Sequence, residues 1–456
     1  MGLPRPRAKM SPMIRRACLF ALAASLMLAA VPLHSQRRGY PPEEFAERRS
    51  RLAASLTPGL VVMFSATAEA PGIRFRQDND FYYLTGSEDV NAVLVLELPG
   101  AAAHVFVPRL PATTVLFEGG NWLNDANSAR VHGVTSVRPL SELQDFLASK
   151  RSAGVESLWL RESPPDLVDR ARYEVTMDVQ ARRRNPLAQY PAEHVQAIEG
   201  VKGALPSIPV LDVTAAIDRL RLIKTPREIE ILKVNGRVSA EAMSRAIAIS
   251  RPGRFEYEFE AEAKFWMLKN GLQTDAYAAI VASGPNGNQW HYMDNGRRTE
   301  AGDMVVMDYA GSLDYLTVDI TRTWPVSGRF TDEQRRAYLC ALEAQTAMIA
   351  TMRPGTTRAT IREAGERVFR QHGFDARYAY SGHYVGLSVH DVGDWDLPLQ
   401  AGMVLAIEPM IDLPDRKMHV RTEDTVLITP AGAEVLTSAV PKAVSELLAL
   451  ATSQSR

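Results

Sequence analysis

Four carboxylates carry the chemistry this sequence can do. In "VVMDYAGSLDYLTVDITRTW" (Val305 to Trp324), Asp308 and Asp319 occupy the two apolar arms of a predicted β-hairpin. With the turn centred on Leu313-Asp314, Asp308 faces Asp319 with Cβ atoms about 5 Å apart. The arrangement recurs in the stretch that starts at Ala401, where a turn in "LPDRKM", centred on Asp415-Arg416, sets Glu408 opposite Glu423. A solvated edge would need polar strands, but "MVVMD" and "MVLAIE" bury their acids in apolar runs. Unpaired charges there cost several kcal/mol each, so a multivalent cation is the economical resolution. Four carboxylates on two hairpins can hold two divalent ions, and a pair about 3.5–4 Å apart can share a hydroxide and polarise a carbonyl.

Histidine supplies the remaining donors. Of nine in the chain, His383 and His390 lie among glycines and β-branched residues in "SGHYVGLSVHDVGD", just before the Glu408 hairpin. Their spacing of seven shares a helix face but not a strand face, so periodicity leaves open whether both line a pocket. His291, in "GNQWHYMDN" before the Asp308 hairpin, is a third candidate. His104, His132, His194, His372 and His419 read as surface or packing residues, and His34 belongs to the predicted N-terminal signal segment.

The elements that must position these groups fall into two halves. From about residue 40 to 215, strand-like runs such as "GLVVMFS" and "NAVLVLELP" alternate with helical stretches, predicting an α/β layer with its own sheet. A long helical pattern follows, with Thr225 and Glu228 spaced as a capping box, and a second domain runs over 216–450. Inside it "RPG" recurs at Arg251 and Arg353, each followed by a helical stretch, and "AGDMVVMDYAG" from Ala301 is echoed by "AGMVLAIEPMI" from Ala401. The offset near one hundred residues predicts two halves related by an internal pseudo-two-fold repeat. The fold class is therefore α/β (α+β).

Composition narrows the partners. The 456 residues are 46% hydrophobic, and 52 basic against 53 acidic residues give a net charge of −1 without a basic block, so no nucleic-acid footprint exists. Arg15-Arg16 followed by the apolar run Ala17 to Val31 predicts a signal peptide over 1–35, cut after Ser35 or Ala30, with a twin-arginine route as the alternative. The run is short for a membrane span. The expectation is export to a periplasmic or extracellular location, with no stable membrane insertion after cleavage. Of the two cysteines, Cys18 lies in the signal and Cys340 reads as a small core residue of an amphipathic helix.

At these residues the sequence resembles the pita-bread metallopeptidases, and among them aminopeptidase P (Xaa-Pro aminopeptidase) and prolidase. The segments "MDYAG", "DITRTWPVSGRF", "HYVGLSVHDVG", "GMVLAIEP" and "VRTEDTVLIT" are similar to the family's metal-ligand segments, and "FRQDNDFYYLTG" (Phe75 to Gly86) to its creatinase-like N-terminal domain. The resemblance implies Asp308, Asp319, His383, Glu408 and Glu423 as ligands of two divalent ions. Manganese suits this hard, oxygen-rich set, with cobalt or zinc as substitutes. It further implies a bridging hydroxide attacking the carbonyl before a proline, with Glu408 taking up the proton. His291 and His390 hydrogen-bond the substrate or the developing oxyanion, and Arg421 orients a carboxylate ligand. The implied partner is a peptide with proline in second position, and the implied assembly a homodimer or homotetramer.

One departure stands out: where the family has a histidine four residues before the His383 position, this chain has Ala379, which predicts an altered substrate pocket. A short connection between Glu408 and Arg421 predicts one open edge. Prolidase, which cuts only dipeptides, is the alternative function, and a catalytically weak pita-bread binding protein the remote one.

Overall fold

The computed structural model describes residues 39–67, 74–184, 186–187 and 193–453. The predicted signal segment lies outside the described residues.

The N-terminal half is built on one six-stranded sheet, ordered β4-β3-β2-β1-β5-β6. Its strands are β1 (Gly59–Phe64), β2 (Val93–Leu98), β3 (Ala102–Val107), β4 (Ser136–Pro139), β5 (Leu158–Leu160) and β6 (Val210–Asp212). β1 runs antiparallel to β2 and parallel to β5, so the sheet is mixed. The unbroken apolar run of β1 has a simple cause. Leu60 and Val62 pack against the helices Leu143–Ser152 and Glu193–Ala204, while Val61 and Met63 join a core with Phe45, Leu52 and Phe81. Both faces of the strand are covered, which removes any need for polar alternation.

The C-terminal half repeats a helix pair followed by antiparallel ladders. The helices Pro226–Ala248 and Glu256–Lys269 precede β7 (Thr274–Asp275), β8 (Ile280–Ser283), β9 (Met304–Asp308), β10 (Gly311–Leu313), β11 (Leu316–Thr317) and β12 (Thr321–Pro325). The helices Asp332–Thr351 and Arg358–His372 precede β13 (Val404–Ile407), β14 (Met410–Leu413), β15 (Met418–Arg421), β16 (Asp424–Thr429) and β17 (Gly432–Val435). The first long helix starts as predicted. Thr225 Oγ1 accepts from Glu228 N at 3.2 Å, Glu228 Oε2 accepts from Thr225 N at 2.8 Å, and Pro226 occupies the first turn. Cys340 is fully buried in its helix, where burial pushes the thiol up to about 12.

The second hairpin keeps its predicted register. Ile407 pairs with Asp424 in one ladder and Met410 with Arg421 in the next, so Glu408 and Glu423 face each other at the junction. The first hairpin does not: Asp308 pairs with Thr321, and the turn is centred on Asp314-Tyr315 rather than Leu313-Asp314. Both turn residues have positive φ, 46° and 70°, the left-handed pair that fits the twist of a two-residue hairpin. The cost of a left-handed tyrosine is met by docking. The Tyr315 ring stacks on Tyr82 at 3.5 Å, and its hydroxyl donates to Glu88 Oε1 at 2.9 Å in the N-terminal half. Asp319 thereby moves two residues along from the partner of Asp308, which keeps it on the same face because strand side chains alternate with period two.

The two repeats are stitched together next to the acids. Thr425 Oγ1 accepts from Asp319 N at 2.8 Å and donates to Asp319 O at 2.7 Å, Glu423 N donates to Thr321 O at 3.1 Å, and Thr323 Oγ1 donates to Arg421 O at 2.8 Å. Arg322 reaches Glu423 O at 2.6 Å and Asp424 at 2.8 Å, with both side chains fully buried. The segment with His383 lies along β13: Ala406 N donates to His383 O at 2.9 Å and Val385 N to Val404 O at 3.0 Å.

Close approach there requires Gly382, whose φ is +77° and whose Cβ, if present, would sit 1.8 Å from Ala406 O. Gly382→Ala is therefore expected to cost on the order of 2–4 kcal/mol in urea unfolding, and to lower bound metal by displacing His383. Unchanged stability would contradict this packing.

Candidate metal centre and active site

The two ladders deliver their acids to one cleft of about 650 Å³, lined by Asp308, Asp319, His383, Glu408 and Glu423 together with His291, His390 and Arg421. Candidate ligand atoms of Asp319, His383 and Glu423 lie within 4.8 Å of one another. His383 Nε2 is 3.3 Å from Asp319 Oδ2 and 3.5 Å from Glu408 Oε1, while its Nδ1 is 3.1 Å from Tyr384 O. A proton on Nδ1, donated to that carbonyl, leaves Nε2 free as a ligand. Asp308 meets Arg421, whose guanidinium donates to Oδ2 at 2.6 Å.

The donor set fits divalent cations. Asp308 Oδ1 and Glu423 Oε1 are buried without any hydrogen-bond partner, an arrangement that proteins avoid unless something else satisfies the oxygen. Left to the protein's own charges, the acids cannot all ionise. Burial, then the Asp319 charge, pushes Asp308 up to about 8. Burial followed by Asp319 and Glu408 raises Glu423 well above the carboxylate range, and burial raises Glu408. Asp319 is the exception: burial works against it, but the bond from His383 holds it at about 2, and His383 is drawn up to about 9 against its own burial. Cations in the cleft would return the raised acids to their charged form.

Other groups hold the acids from behind, and the sequence reading missed them. Tyr277 donates to Asp319 Oδ1 at 2.6 Å. Thr321 accepts from Arg421 Nε at 3.1 Å and donates to Glu423 Oε2 at 2.6 Å, which links the arginine to a carboxylate on each repeat. Thr321 stands beside Asp319 in a segment already singled out, so it was within reach of inspection. Tyr277 had no such signal, because a tyrosine in "DAYAAIV" reads as ordinary packing.

The histidines differ in setting. His390 contacts the His383 ring edge-on at 4.1 Å, and burial with that neighbour holds it down at about 4. Its Nδ1 is 3.5 Å from Glu174 Oε2. His291 is exposed at the rim, on a loop anchored by Asn288, which donates to Asp412 Oδ1 at 2.6 Å. His419, read as a packing residue, is buried with Nδ1 3.0 Å from the same Asp412 oxygen.

One wall comes from the N-terminal half. Asp169, Arg170, Tyr173, Glu174 and Asp178 line the cleft from the helix Arg172–Arg183 and the turn before it. Facing them are Trp290, Tyr378 and Tyr380. Ala379 does not line the cleft. It is 1% exposed and packs against the helix Arg358–His372, where a Cβ on Gly365 would lie 3.3 Å from its own Cβ. The alanine expected to alter the pocket thus stands behind its wall, which its neighbours Tyr378 and Tyr380 line.

Comparison with known proteins agrees with this geometry. The profile of Metallopeptidase family M24 matches residues 230–430, and that of the Aminopeptidase P, N-terminal domain matches residues 45–159. The chain is 31% identical over 407 residues to Xaa-Pro aminopeptidase 3 of Mus musculus, covering 82% of this chain and 76% of that protein. The chain belongs to metallopeptidase family M24. Among solved structures, Pseudomonas aeruginosa aminopeptidase PepP superposes with a TM-score of 0.75 at 28% identity, covering 91% of this chain and 99% of that one. A zinc-substituted E. coli aminopeptidase P in complex with product superposes with a TM-score of 0.76 at 27% identity, with the same coverage.

Two outcomes follow from the site. Asp308, Glu408, Glu423 and His383 have folded values above their ordinary ones, so the stability they lend the metal-free protein is present in acid and lost as pH rises toward about 8, while Asp319 and His390, held low, work the other way. Thermal unfolding after chelation should show a Tm that falls from about pH 5 to about pH 8. Divalent metal should restore more at the upper end. Ala379→His, the substitution toward the family residue, should lower Tm rather than raise turnover, since the larger ring enters a site where the alanine is already 1% exposed.

Proposed function

We propose that this protein is a dinuclear Xaa-Pro aminopeptidase that releases residue one from peptides with proline second. The observation that carries it is the set of four carboxylates and His383 converging on one cleft, two of their buried oxygens unpartnered, in a chain with the aminopeptidase P N-terminal domain. That domain, beside a catalytic half of family M24, disfavours the prolidase alternative. The intact donor set weighs against the binding-protein alternative.

Asp308, Asp319, His383, Glu408 and Glu423 would hold the cations, whose chemistry when bound is to activate water and polarise the scissile carbonyl. Glu408 takes the proton from the attacking water and passes it to the departing prolyl nitrogen. His291 and His390 donate hydrogen bonds to the carbonyl oxygen or the substrate backbone as negative charge develops. Arg421 fixes Asp308 directly and Glu423 through Thr321. Tyr277 does the same for Asp319.

Manganese is the proposed metal, since one imidazole and four carboxylates form a hard set; a zinc-substituted relative indicates that such sites accept substitutes. Export is the proposed location, supported by Arg15-Arg16 and the apolar run to Val31. Among the described residues no helix is long and apolar enough to cross a membrane. Self-association is supported by Leu116 and Phe117, 79% and 80% exposed on the N-terminal half.

The deciding assay compares Arg-Pro-Pro, Arg-Ala-Ala and Gly-Pro after Mn²⁺ is returned to stripped protein. Cleavage of Arg-Pro-Pro well above the other two is expected; cleavage of Gly-Pro alone would make it a prolidase. Asp308→Asn and Glu423→Gln should each abolish metal loading and turnover together, and activity persisting with metal bound would refute the two-metal reading.

A further inference from the structure

The loop that carries His390 is held largely by the N-terminal half of the chain. Val389 N donates to Val168 O at 2.8 Å, Ser388 Oγ to Leu167 O at 2.6 Å, and Arg76 to Leu387 O at 2.7 Å. Next to His390, Asp391 is gripped from both oxygens. Arg221 donates to Oδ1 at 2.5 Å and Lys224 to Oδ2 at 3.1 Å. The same Arg221 guanidinium, 1% exposed, bonds Asp166 at 2.7 Å and Asp80 at 2.7 Å. Asp80 also receives Arg172 at 3.3 Å, and Arg172 reaches Asp218 at 2.9 Å. Arg172 opens the helix whose third residue, Glu174, faces His390 at 3.5 Å.

A single buried charge cluster thus fixes both partners of the His390–Glu174 contact, one from each half. Buried ion pairs add little net stability over apolar packing, but removing one partner is strongly disruptive, so their value lies in defining one arrangement. Gly386 shows how tight that arrangement is, since a Cβ there would sit 1.9 Å from Asp391 Oδ2.

We propose that Asp166, Arg221 and Asp391 are positioning residues that set His390 against Glu174 for the peptidase reaction, making the N-terminal half part of the catalytic apparatus. The inference rests on the proposed Xaa-Pro aminopeptidase activity for its kinetic test and on structure alone for its spectroscopic one. The full-length, metal-loaded chain would carry Asp391→Asn, Ser388→Ala or Arg221→Lys, each alone and combined with His390→Ala. On Arg-Pro-Pro, Asp391→Asn should lower kcat about tenfold or more with KM changed less than about twofold, and should lose most of that effect when His390 is already alanine. Ser388→Ala should show the same pattern more weakly, and the charge-conserving Arg221→Lys should retain more activity than Asp391→Asn.

Equal losses in both backgrounds, or none, would overturn the proposal. Independently of turnover, the ring Cε1–H signal of His390 in the zinc-loaded, ¹³C-histidine-labelled protein, identified by its loss in His390→Ala, should shift or broaden in Asp391→Asn. An unchanged signal would overturn the proposal even if no peptide is cut. A wild-type chain that fails to cleave Arg-Pro-Pro while that signal responds would instead refute the assigned substrate.

Discussion

Mutual repulsion among carboxylates confined to a buried cleft is the constraint on which this structure turns. Asp308, Glu408 and Glu423 are all driven toward their neutral forms by burial and then by neighbouring carboxylates, Asp319 above all, so the chain keeps them together only by fixing the backbone that presents them. The fixing is done by the strand segments themselves. Thr321, Arg322 and Thr323 of one repeat bond the backbone or side chains of Arg421, Glu423 and Asp424 of the other. Arg322 is held so deeply that its charge is spent on that junction and not on the cleft. Arg421 and His383, the cations beside the acids, balance only part of their charge, and the unpartnered oxygens of Asp308 and Glu423 are where a divalent metal would complete the balance.

The N-terminal half enters the same balance from outside. Tyr315 at the first hairpin's tip docks on Tyr82, which decides where that hairpin turns. The Arg221 cluster ties Asp391 to Asp80 and Asp166. Loop and helix meet over the cleft, where Glu174 faces His390. Fold and site are therefore not separable layers here, since contacts hundreds of residues apart in sequence set how the groups of the cleft are presented.

Much of this was legible in the residues. The capping box at Thr225, the hundred-residue repeat and the opposition of Glu408 to Glu423 all rest on local pattern, and local pattern suffices where turn chemistry is ordinary: Pro414 marks the corner of the second hairpin. The first hairpin was misread by two residues because its turn uses a tyrosine in the left-handed region, a choice no local preference favours and only docking explains. The side of the strand on which the acids lie survived the error, because a two-residue shift preserves the face. Ala379 shows a different limit. The motif names it as a pocket position, but which side chains reach the cleft depends on the packing around it, and there Tyr378 and Tyr380 line the wall while Ala379 is buried behind it.

By itself the sequence determined which atoms are available for chemistry and that they come in two matched sets. Carboxylates inside apolar runs are too costly to be accidental, and that cost is written in residue types alone. Tertiary structure decided what holds them: Tyr277 and Thr321 behind the acids, Arg421 bridging the repeats, and Glu174 reaching over from the N-terminal half. The reason is that a hydrogen bond between residues a hundred positions apart leaves no periodicity in either segment. Its partners become visible only when the chain has closed the distance between them.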